Sequence, residues 1–533
     1  LVLCLTMVTS LYGFAAAETA GKTDTQYVGN VVKLSEEPVI LTMFMPFDSS
    51  RYTTVASYAE LPCMKEMAQS TNVSIKFIHP AAGSEKEQLN LLLSSGDLPD
   101  IIYYDWSRFS ATTDQMFEDG LIIDLAKLID QFAPNLKAIM IENQKVKTDI
   151  TNDSGLMPCF YQMQFSEPLK NTYAYLLRAD WLKKVKLDAP VTLDDWYKVL
   201  CAFRDEDMDG DGDPSNEYPL TSGFYNDNDD CRAMEDFYCA WGKNWRMYVN
   251  EERQAAYGAY DPDYKEYLRL MRKWIEEGLI DPDFATNDKT QQDAKFLNSK
   301  AGATRSGLGA GFGTFISGLG DESAIVASMS PVMHNGDTAY NFQGFSAGVT
   351  KSGAVITTNC KNPEVAVKWL DMFYGGDGML LSNYGIEGQS YNMVDGYPTL
   401  VDYITRNPDG KSINVALAEF SLGAASFPFW NDSAVREQRM LSYTAQREAG
   451  LKMASMDTSR IIPNISLTAD ETTEYAGIIS EVETYIKEMS LAFLLGKEDI
   501  ETSFDGYMQT LKELGVEDAI AIYNAALQRY YAR

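Results

Sequence analysis

The sequence has 533 residues, 45% of them apolar and 12% aromatic, which is enough to bury more than one hydrophobic core. Its 45 basic and 76 acidic residues give a formal net charge of −31 at pH 7. A surface with this charge repels phosphate backbones, which argues against nucleic-acid binding. Only two histidines occur, which leaves little material for a Ser-His-Asp triad or a multi-histidine zinc site.

The N-terminal segment has the pattern of an export signal. An apolar run over residues 1–14 is followed by Ala15, Ala16 and Ala17 and then by polar residues. The pattern predicts a signal peptide over residues 1–17 that lacks its basic leading part, and then a flexible segment over residues 18–37. The alternative is a disordered apolar tail. Because Leu3 rather than a small residue precedes Cys4, there is no clear lipid-attachment motif, and anchoring stays open beside secretion.

The six cysteines after this segment are widely spaced and form no C-x-x-C pair: Cys63, Cys159, Cys201, Cys231, Cys239 and Cys360. This spacing favours isolated buried thiols over a zinc knuckle or a dense disulfide framework. Only Cys231 and Cys239 lie close together along the chain.

The first elements predict a parallel α/β sheet. Apolar runs and helical periodicity predict a strand over 39–45, a helix over 60–69, a strand over 73–78, a helix over 84–95 and a strand over 98–104. Strands that alternate with helices at this spacing pair in parallel through right-handed crossovers. The ligand crevice of such a sheet lies at the carboxyl ends of its strands, where Asp105 and Trp106 follow the third strand.

The later elements continue the mixed pattern. We predict helices over 120–132 and 134–143, a strand over 173–177, a helix over 193–203, a helix over 263–277, a flexible glycine-rich loop over 302–320, a helix over 362–374 and helical structure over 499–531. Thr192 and Asp195 form the pattern of a capping box before the helix at 193. Trp181, Trp196, Trp274 and Trp369 stand at helical spacing among apolar residues and are predicted to lie in the core.

The sharpest local motif is an acidic loop after the helix at 193. Asp207, Asp209 and Asp211 alternate and Gly212 follows, which is the pattern of a calcium-binding loop. Asp213 would offer its backbone carbonyl, and Asn216 or Glu217 would close the coordination shell. A standard EF-hand carries its bidentate Glu at the twelfth position, where this chain has Tyr218. The pattern therefore predicts one structural calcium ion on another fold, and the alternative is a solvated acidic turn.

These motifs together resemble a known family. The chain is similar to extracellular solute-binding proteins of carbohydrate-type ABC importers, in the branch that includes LipO-like and alginate-binding proteins. The resemblance rests on seven segments in order: Ser95–Ile102, Arg178–Leu182, Asp207–Pro219, Glu277–Phe284, Cys360–Glu364, Asn383–Gly388 and Ser503–Tyr507. In that family the loop near Asp207 binds calcium, usually with Asn at the third and fifth positions, where this chain has Asp209 and Asp211. Most relatives also carry a lipidated cysteine.

The resemblance implies a type II periplasmic-binding-protein-like α/β fold, with two lobes that close on a ligand by hinge motion. We expect chain crossings near 155–165, 345–350 and 401–416. These divide the chain into a first lobe of 38–158 plus 346–405 and a second lobe of 159–345 plus 406–533.

A sugar-binding cleft needs aromatic platforms and polar partners. The candidate platforms are Trp106, Trp241, Trp245, Tyr384, Tyr391 and Trp430, and the candidate polar partners are Asp105, Arg305 and Glu387. Each has a structural alternative, such as core packing for the aromatic residues or a simple turn for Glu387 between its flanking glycines.

The leading hypothesis is a monomeric, non-enzymatic binding protein that captures a carbohydrate, in particular an oligosaccharide, and delivers it to the permease of an ABC importer. A peptide or polyanion binder on the same scaffold is the second hypothesis. The third is a secreted glycoside hydrolase that works with two carboxylates. The chain contains no H-E-x-x-H motif and no Cys-His context of a catalytic type, which disfavours an enzyme.

Overall fold

The structure, a computed structural model, describes residues 31–106, 109, 112–166, 169, 172–224, 233–342 and 348–533. The predicted signal peptide and Cys231 lie outside the described residues. The strands are β1 (Val39–Phe44), β2 (Val73–Ile78), β3 (Ile101–Asp105), β4 (Phe160–Gln164), β5 (Tyr173–Arg178), β6 (Tyr218–Leu220), β7 (Met247–Val249), β8 (Ala255–Tyr257), β9 (Ala301–Gly307), β10 (Ile325–Ser328), β11 (Val349–Ile356), β12 (Tyr391–Val394), β13 (Tyr397–Leu400) and β14 (Trp430–Asn431).

The helices before β11 are α1 (Pro62–Thr71), α2 (Glu85–Ser95), α3 (Thr113–Glu118), α4 (Ala126–Phe132), α5 (Pro134–Glu142), α6 (Gln144–Ile150), α7 (Ala179–Val185), α8 (Leu193–Asp205), α9 (Asp263–Glu276), α10 (Lys289–Leu297) and α11 (Ala310–Leu319). Those after it are α12 (Pro363–Asp371), α13 (Gly376–Tyr384), α14 (Asp402–Thr405), α15 (Ile413–Leu417), α16 (Ser433–Met440), α17 (Thr444–Ala454), α18 (Ala469–Leu494), α19 (Ile500–Glu513) and α20 (Val516–Tyr531). None of the helices in the described ranges is both long and apolar enough to cross a bilayer.

The fold consists of two α/β lobes, each built on its own sheet. The first sheet has the order β14-β4-β11-β3-β1-β2, and β1 pairs in parallel with both β2 and β3. This confirms the parallel pairing predicted from the first three strands. The second sheet has the order β10-β5-β9-β6.

The sheets assign two segments differently from the expected lobe limits. β4 pairs with β11 and β14 in the first sheet, whereas the limit at residue 158 had given it to the second lobe. Residues 418–429 contribute Ala418, Leu422 and Phe427 to the core of the first sheet, whereas the limit at residue 405 had given them to the second lobe. The last passage between the lobes therefore falls between α16 and α17 rather than near 401–416, because α17 packs in the second lobe.

The predicted core tryptophans are confirmed, since Trp181, Trp196, Trp274 and Trp369 are all among the largest fully buried side chains. The capping box of Thr192 and Asp195 at the start of α8 is also present. The described cysteines are unbonded thiols, in agreement with the prediction from their spacing. The described part of the expected flexible N-terminal segment packs against the first lobe, where the Leu34 amide donates to the Thr71 carbonyl at 2.9 Å.

The prediction of a flexible loop over 302–320 is wrong, because β9 and α11 occupy this segment. A Cβ atom on Gly302 would lie 2.4 Å from the Phe203 ring and 2.5 Å from the Trp181 ring. A Cβ on Gly318 would lie 2.5 Å from Leu297. These glycines permit close packing of regular elements rather than chain flexibility.

Candidate functional site

A cleft of about 690 Å³ lies between the two lobes. Residues from both lobes line it, and aromatic rings are prominent on each wall: Trp106, Phe109 and Tyr161 from the first lobe, and Trp245, Tyr257, Phe342, Tyr475 and Tyr523 from the second. Polar side chains stand between the rings, namely Thr112, Asp114, Asp149, Asn244, Arg246, Lys351, Asn464 and Glu483, among others.

The first wall is built at the carboxyl end of β3, as the parallel-sheet rule predicts. Trp106 follows this strand, and its Nε1 donates to the carbonyl of Gly353 on β11 at 3.0 Å. A Cβ on Gly353 would lie 2.8 Å from Cys159 and 3.0 Å from the Tyr161 ring. Glycine at this position therefore lets the Tyr161 ring of the cleft wall pack closely against the backbone of β11.

The second wall contains a charged stack. The guanidinium of Arg246 lies 4.3 Å from the ring centre of Trp245, and its Nε lies 3.4 Å from a carboxylate oxygen of Glu483. Arg246 covers one ring face of Trp245, which is only 4% exposed. The Tyr257 hydroxyl is buried in the same wall without a hydrogen-bond partner among the described residues.

Three further charged groups line the cleft. Lys351 is exposed to the cleft, but the protein on both sides displaces part of its hydration, and this desolvation lowers the pKa of Lys351 to about 8 against the opposing charges of Asp149 and Asp105. The Asp149 carboxylate accepts a hydrogen bond from the Tyr530 hydroxyl at 2.7 Å. Burial raises the pKa of Asp114, whose carboxylate accepts a hydrogen bond from Asn152 at 2.5 Å.

The structure brings two of the predicted ligand-binding residues, Trp106 and Trp245, to the same cleft from opposite lobes. Asp105 immediately precedes Trp106 at the end of β3 but is not among the lining residues. Trp241 packs on the rings of Tyr238 and Tyr267 in the second core. Ligand contact by any of these residues remains a prediction.

The other candidates lie away from this cleft. Arg305 is 3% exposed, forms an ion pair with Asp236 and lies 4.4 Å from the ring centre of Tyr173. Tyr384 and Tyr391 pack together in the first lobe, with their ring centres 5.4 Å apart.

Glu387 and Trp430 also belong to the first lobe. Glu387 is exposed and forms an isolated bridge with Tyr391. Trp430 stacks on Phe165 with 5.0 Å between ring centres. Five residues predicted from the sequence as cleft candidates do not line this cleft: Arg305, Tyr384, Glu387, Tyr391 and Trp430. The three aromatic residues among them pack against other rings of the first lobe.

Several lining residues escaped the sequence analysis although two of them carried a signal. Lys351 is the single charged residue of β11, and Arg246 directly follows Trp245. Asn464 lies in a segment without regular structure between α17 and α18. Its side-chain amide donates a hydrogen bond to the Val349 carbonyl of the other lobe at 3.3 Å. Tyr475 and Tyr523 lie on long helices where aromatic residues normally indicate core.

A second candidate site is the acidic loop that follows α8. The oxygens of Asp207, Asp209 and Asp211 lie within 4.8 Å of one another, a span that one Ca²⁺ with oxygen ligands at about 2.3–2.6 Å can bridge. Gly210 and Gly212 adopt φ values of 81° and 94°, and the amides of both donate to the Asp207 carboxylate at 2.8 and 2.9 Å. The loop therefore turns its carboxylates inward, as the spacing predicted.

The other three predicted calcium ligands, Asp213, Asn216 and Glu217, make hydrogen bonds within the loop. The Asp213 carboxylate accepts hydrogen bonds from the amide and hydroxyl of Ser215. Asn216 donates to Asp211 at 2.8 Å. One oxygen of Glu217 accepts the Asp209 amide at 3.0 Å, whereas the other is buried without a hydrogen-bond partner among the described residues. The three clustered carboxylates of Asp207, Asp209 and Asp211 form a donor set that fits a hard cation.

The cluster also holds an internal cation. The Lys300 ammonium contacts Asp209 and Asn216 and lies 3.2 Å from Asp211. The hydrogen bond from Lys300 lowers the pKa of Asp209, and the same contact raises the pKa of Lys300. A calcium ion bound by these carboxylates would have to displace this ammonium group.

The chain belongs to the bacterial extracellular solute-binding proteins, because the sequence profile of that family matches residues 52–379. This confirms the resemblance seen in the sequence motifs. Two bacterial relatives match most of the chain. The fructooligosaccharide ABC transporter substrate-binding protein FusA of Streptococcus pneumoniae is 25% identical over 84% of this chain and 83% of its own length. The lipoprotein LipO of Bacillus subtilis is 24% identical over 88% of this chain and 89% of its own.

Solved structures confirm the two-lobed fold. FusA in complex with kestose has a TM-score of 0.73 at 22% identity, over 92% of this chain and 99% of that structure. The alginate-binding protein AlgQ2, in a form without calcium ion, has a TM-score of 0.71 at 22% identity, over 93% of this chain and 99% of that structure. A further FusA structure is described as an EF-hand mutant.

Proposed function

We propose that this solute-binding protein captures an oligosaccharide between its lobes and delivers it, chemically unchanged, to the permease of an ABC importer. One observation carries the choice of site: aromatic rings from both lobes, with polar side chains between them, line the same interlobe cleft. Such a lining suits a sugar, whose apolar face stacks on rings while its hydroxyls take hydrogen bonds. Sugar contact is expected first at the half-buried Trp106, whereas Trp245 is 4% exposed and lies behind Arg246.

A sugar ligand is also supported by the relatives. FusA is named for fructooligosaccharides, and the AlgQ2 structure is that of an alginate-binding protein. The proposal includes export across the cytoplasmic membrane and action as a monomer. Attachment to the cell surface is an open alternative, since the relative LipO is named a lipoprotein.

We further propose that calcium is a structural cofactor held by Asp207, Asp209 and Asp211, with Glu217 behind them. The carboxylates would neutralise the ion, and the ion would fix the loop between α8 and β6. The AlgQ2 structure is that of a form without calcium ion and one FusA structure is that of an EF-hand mutant, which supports this assignment.

The test of the proposed function is a thermal-shift screen of the purified chain against neutral oligosaccharides, acidic oligosaccharides and peptides. A tight ligand raises the melting temperature through its binding to the folded state. We expect stabilisation by at least one oligosaccharide, and weaker stabilisation in Trp106→Ala, which removes an aromatic ring of the cleft lining. Stabilisation by peptides alone would contradict the sugar assignment, and hydrolysis of a bound sugar would contradict a non-enzymatic role.

A further inference from the structure

The charges that line the interlobe cleft are unequally compensated. Arg246 is paired with Glu483 at 3.4 Å, and Asp149 is paired with Lys145 at 3.3 Å. Lys351 is the exception, because it forms no hydrogen bond or ion pair with any residue in the described ranges, although its side chain is exposed to the cleft. A cation between two protein walls loses part of its hydration, so it gains most from a ligand that supplies negative charge.

The chemistry of Lys351 favours an acidic ligand group. Its ammonium group can only donate hydrogen bonds. A carboxylate only accepts hydrogen bonds and also carries the opposite charge, so it satisfies this donor better than a sugar hydroxyl does.

We infer that the cleft selects acidic oligosaccharides, and that Lys351 determines this specificity by binding the carboxylate of a uronic acid unit. This inference rests on the proposed function, since it names the substrate class of the same site. Lys351 lies on β11 of the first lobe, next to Thr350, which also lines the cleft. The bound carboxylate would therefore contact the wall that contains Trp106.

The net charge of the protein does not oppose this inference at physiological salt. The charge of −31 is spread over the whole surface, whereas screening limits exposed charges to a range of about 8 Å at that ionic strength. Within the cleft, Asp114 is the acidic side chain without an ion-pair partner among the described residues, and burial raises its pKa. A uronic acid carboxylate would bind Lys351 and avoid Asp114, which orients an acidic ligand in the cleft.

The test uses isothermal titration of the purified chain with pairs of trisaccharides. Each pair consists of a uronic acid trisaccharide and the neutral trisaccharide with the same stereochemistry and linkages, and the panel covers galacturonate, mannuronate and glucuronate. We expect at least one acidic member to bind roughly tenfold or more tightly than its neutral partner, as charge-assisted hydrogen bonds require. This preference is expected to weaken as salt is raised.

The variants separate a charge contact from a structural effect. Lys351→Gln is expected to weaken binding of the acidic trisaccharide more than that of its neutral partner, so that the acidic preference and its salt dependence are lost, and Lys351→Arg is expected to retain the preference. Lys76→Gln is the matched control, because Lys76 is an exposed lysine on β2 of the same sheet and does not line the cleft.

Two outcomes would count against the inference, and they are distinguishable. If neutral trisaccharides bind as tightly as the acidic ones and Lys351→Gln leaves both unchanged, the inference fails while the proposed function stands. If neither member of any pair binds the wild-type chain, and the broader screen of oligosaccharides also finds no ligand, the proposed function itself fails.

Discussion

At the scale of single residues, the acidic loop combines a metal-binding donor set with a lysine that occupies it. Lys300 contacts two of the clustered carboxylates and is anchored through its backbone, since its carbonyl accepts the Tyr218 amide at 2.8 Å. The ammonium group and a calcium ion would compete for the same oxygens. Lys300 therefore offsets part of the negative charge of the loop in the absence of metal and lowers its affinity for metal.

The corresponding prediction concerns Lys300→Met. Without calcium the variant leaves the carboxylates uncompensated, so we expect a lower melting temperature than that of the wild type in the presence of chelator. With calcium we expect several-fold tighter binding by isothermal titration, because no ammonium group has to be displaced.

Asp209→Asn in the wild-type background is the companion variant, and it is expected to weaken calcium binding by removing one ligand charge. Lys86→Met, at an exposed lysine on α2, is the control for the loss of a surface charge. Equal calcium affinity of Lys300→Met and the wild type would show that Lys300 does not compete for the site.

At the scale of elements, the sequence predicted those structures whose signal is local. The alternation of apolar and polar residues located β2 at Val73–Ile78, and the capping pattern at Thr192 located the start of α8. Other features depend on tertiary packing, which no local pattern predicts. Gly302 belongs to the glycine-rich segment that predicted a loop, yet it lets β9 pack closely on Trp181. Lys351 reaches the cleft only because β11 pairs with β3 and β4.

The calcium loop and the cleft illustrate the same difference. The acidic loop is continuous in the sequence, so the spacing of Asp207, Asp209 and Asp211 was sufficient to predict their clustering. The cleft joins residues more than 400 positions apart, such as Trp106 and Tyr523, and no local pattern relates them. Aromatic residues such as Tyr384 and Tyr391 carry the same local signal as Trp106 but pack within one lobe.

The predicted role of glycine in element packing can be tested with one substitution at two sites. Gly353→Ala on β11 places a Cβ against Cys159 and Tyr161, so we expect a loss of about 1–3 kcal/mol in the free energy of unfolding. Gly477→Ala is the matched control, because Gly477 lies on α18 with open space around its Cβ direction. There we expect a gain of about 0.5–1 kcal/mol, since alanine favours the helix.

Chemical denaturation measures both changes. Intrinsic tryptophan fluorescence of Gly353→Ala is also expected to change, because Trp106 donates its indole hydrogen bond to the Gly353 carbonyl. A Gly353→Ala variant as stable as Gly477→Ala would contradict the close packing of β11 against β4.

At the scale of the whole molecule, the end of α20 connects the two lobes at the rim of the cleft. The Arg529 guanidinium of the second lobe forms an ion pair with Asp153, which follows α6 in the first lobe. The adjacent Tyr530 hydroxyl donates to Asp149 at 2.7 Å. Because Asp149 also lines the cleft, these contacts link lobe closure to the site where the ligand is expected.

We predict that Asp153→Asn shifts the ligand-free protein toward an open arrangement. The substitution removes the charge that holds Arg529 across the lobes, whereas the partners of Arg529 in the second lobe, Glu471 and the Ser466 carbonyl, are retained. Small-angle scattering is expected to give a larger radius of gyration for the variant than for the wild type. A less populated closed state also lowers apparent ligand affinity, and we expect a several-fold increase in Kd for any oligosaccharide found by the screen.

The control must remove a comparable ion pair that does not cross the cleft. Glu501→Gln serves this purpose, because Glu501 pairs with Arg269 between α19 and α9 of the second lobe. It is expected to change neither the radius of gyration nor the Kd, since both partners move together during closure. If Asp153→Asn behaves like Glu501→Gln, the contacts of α20 follow closure without stabilising it, and the closed state depends on the ligand and the remaining cleft residues alone.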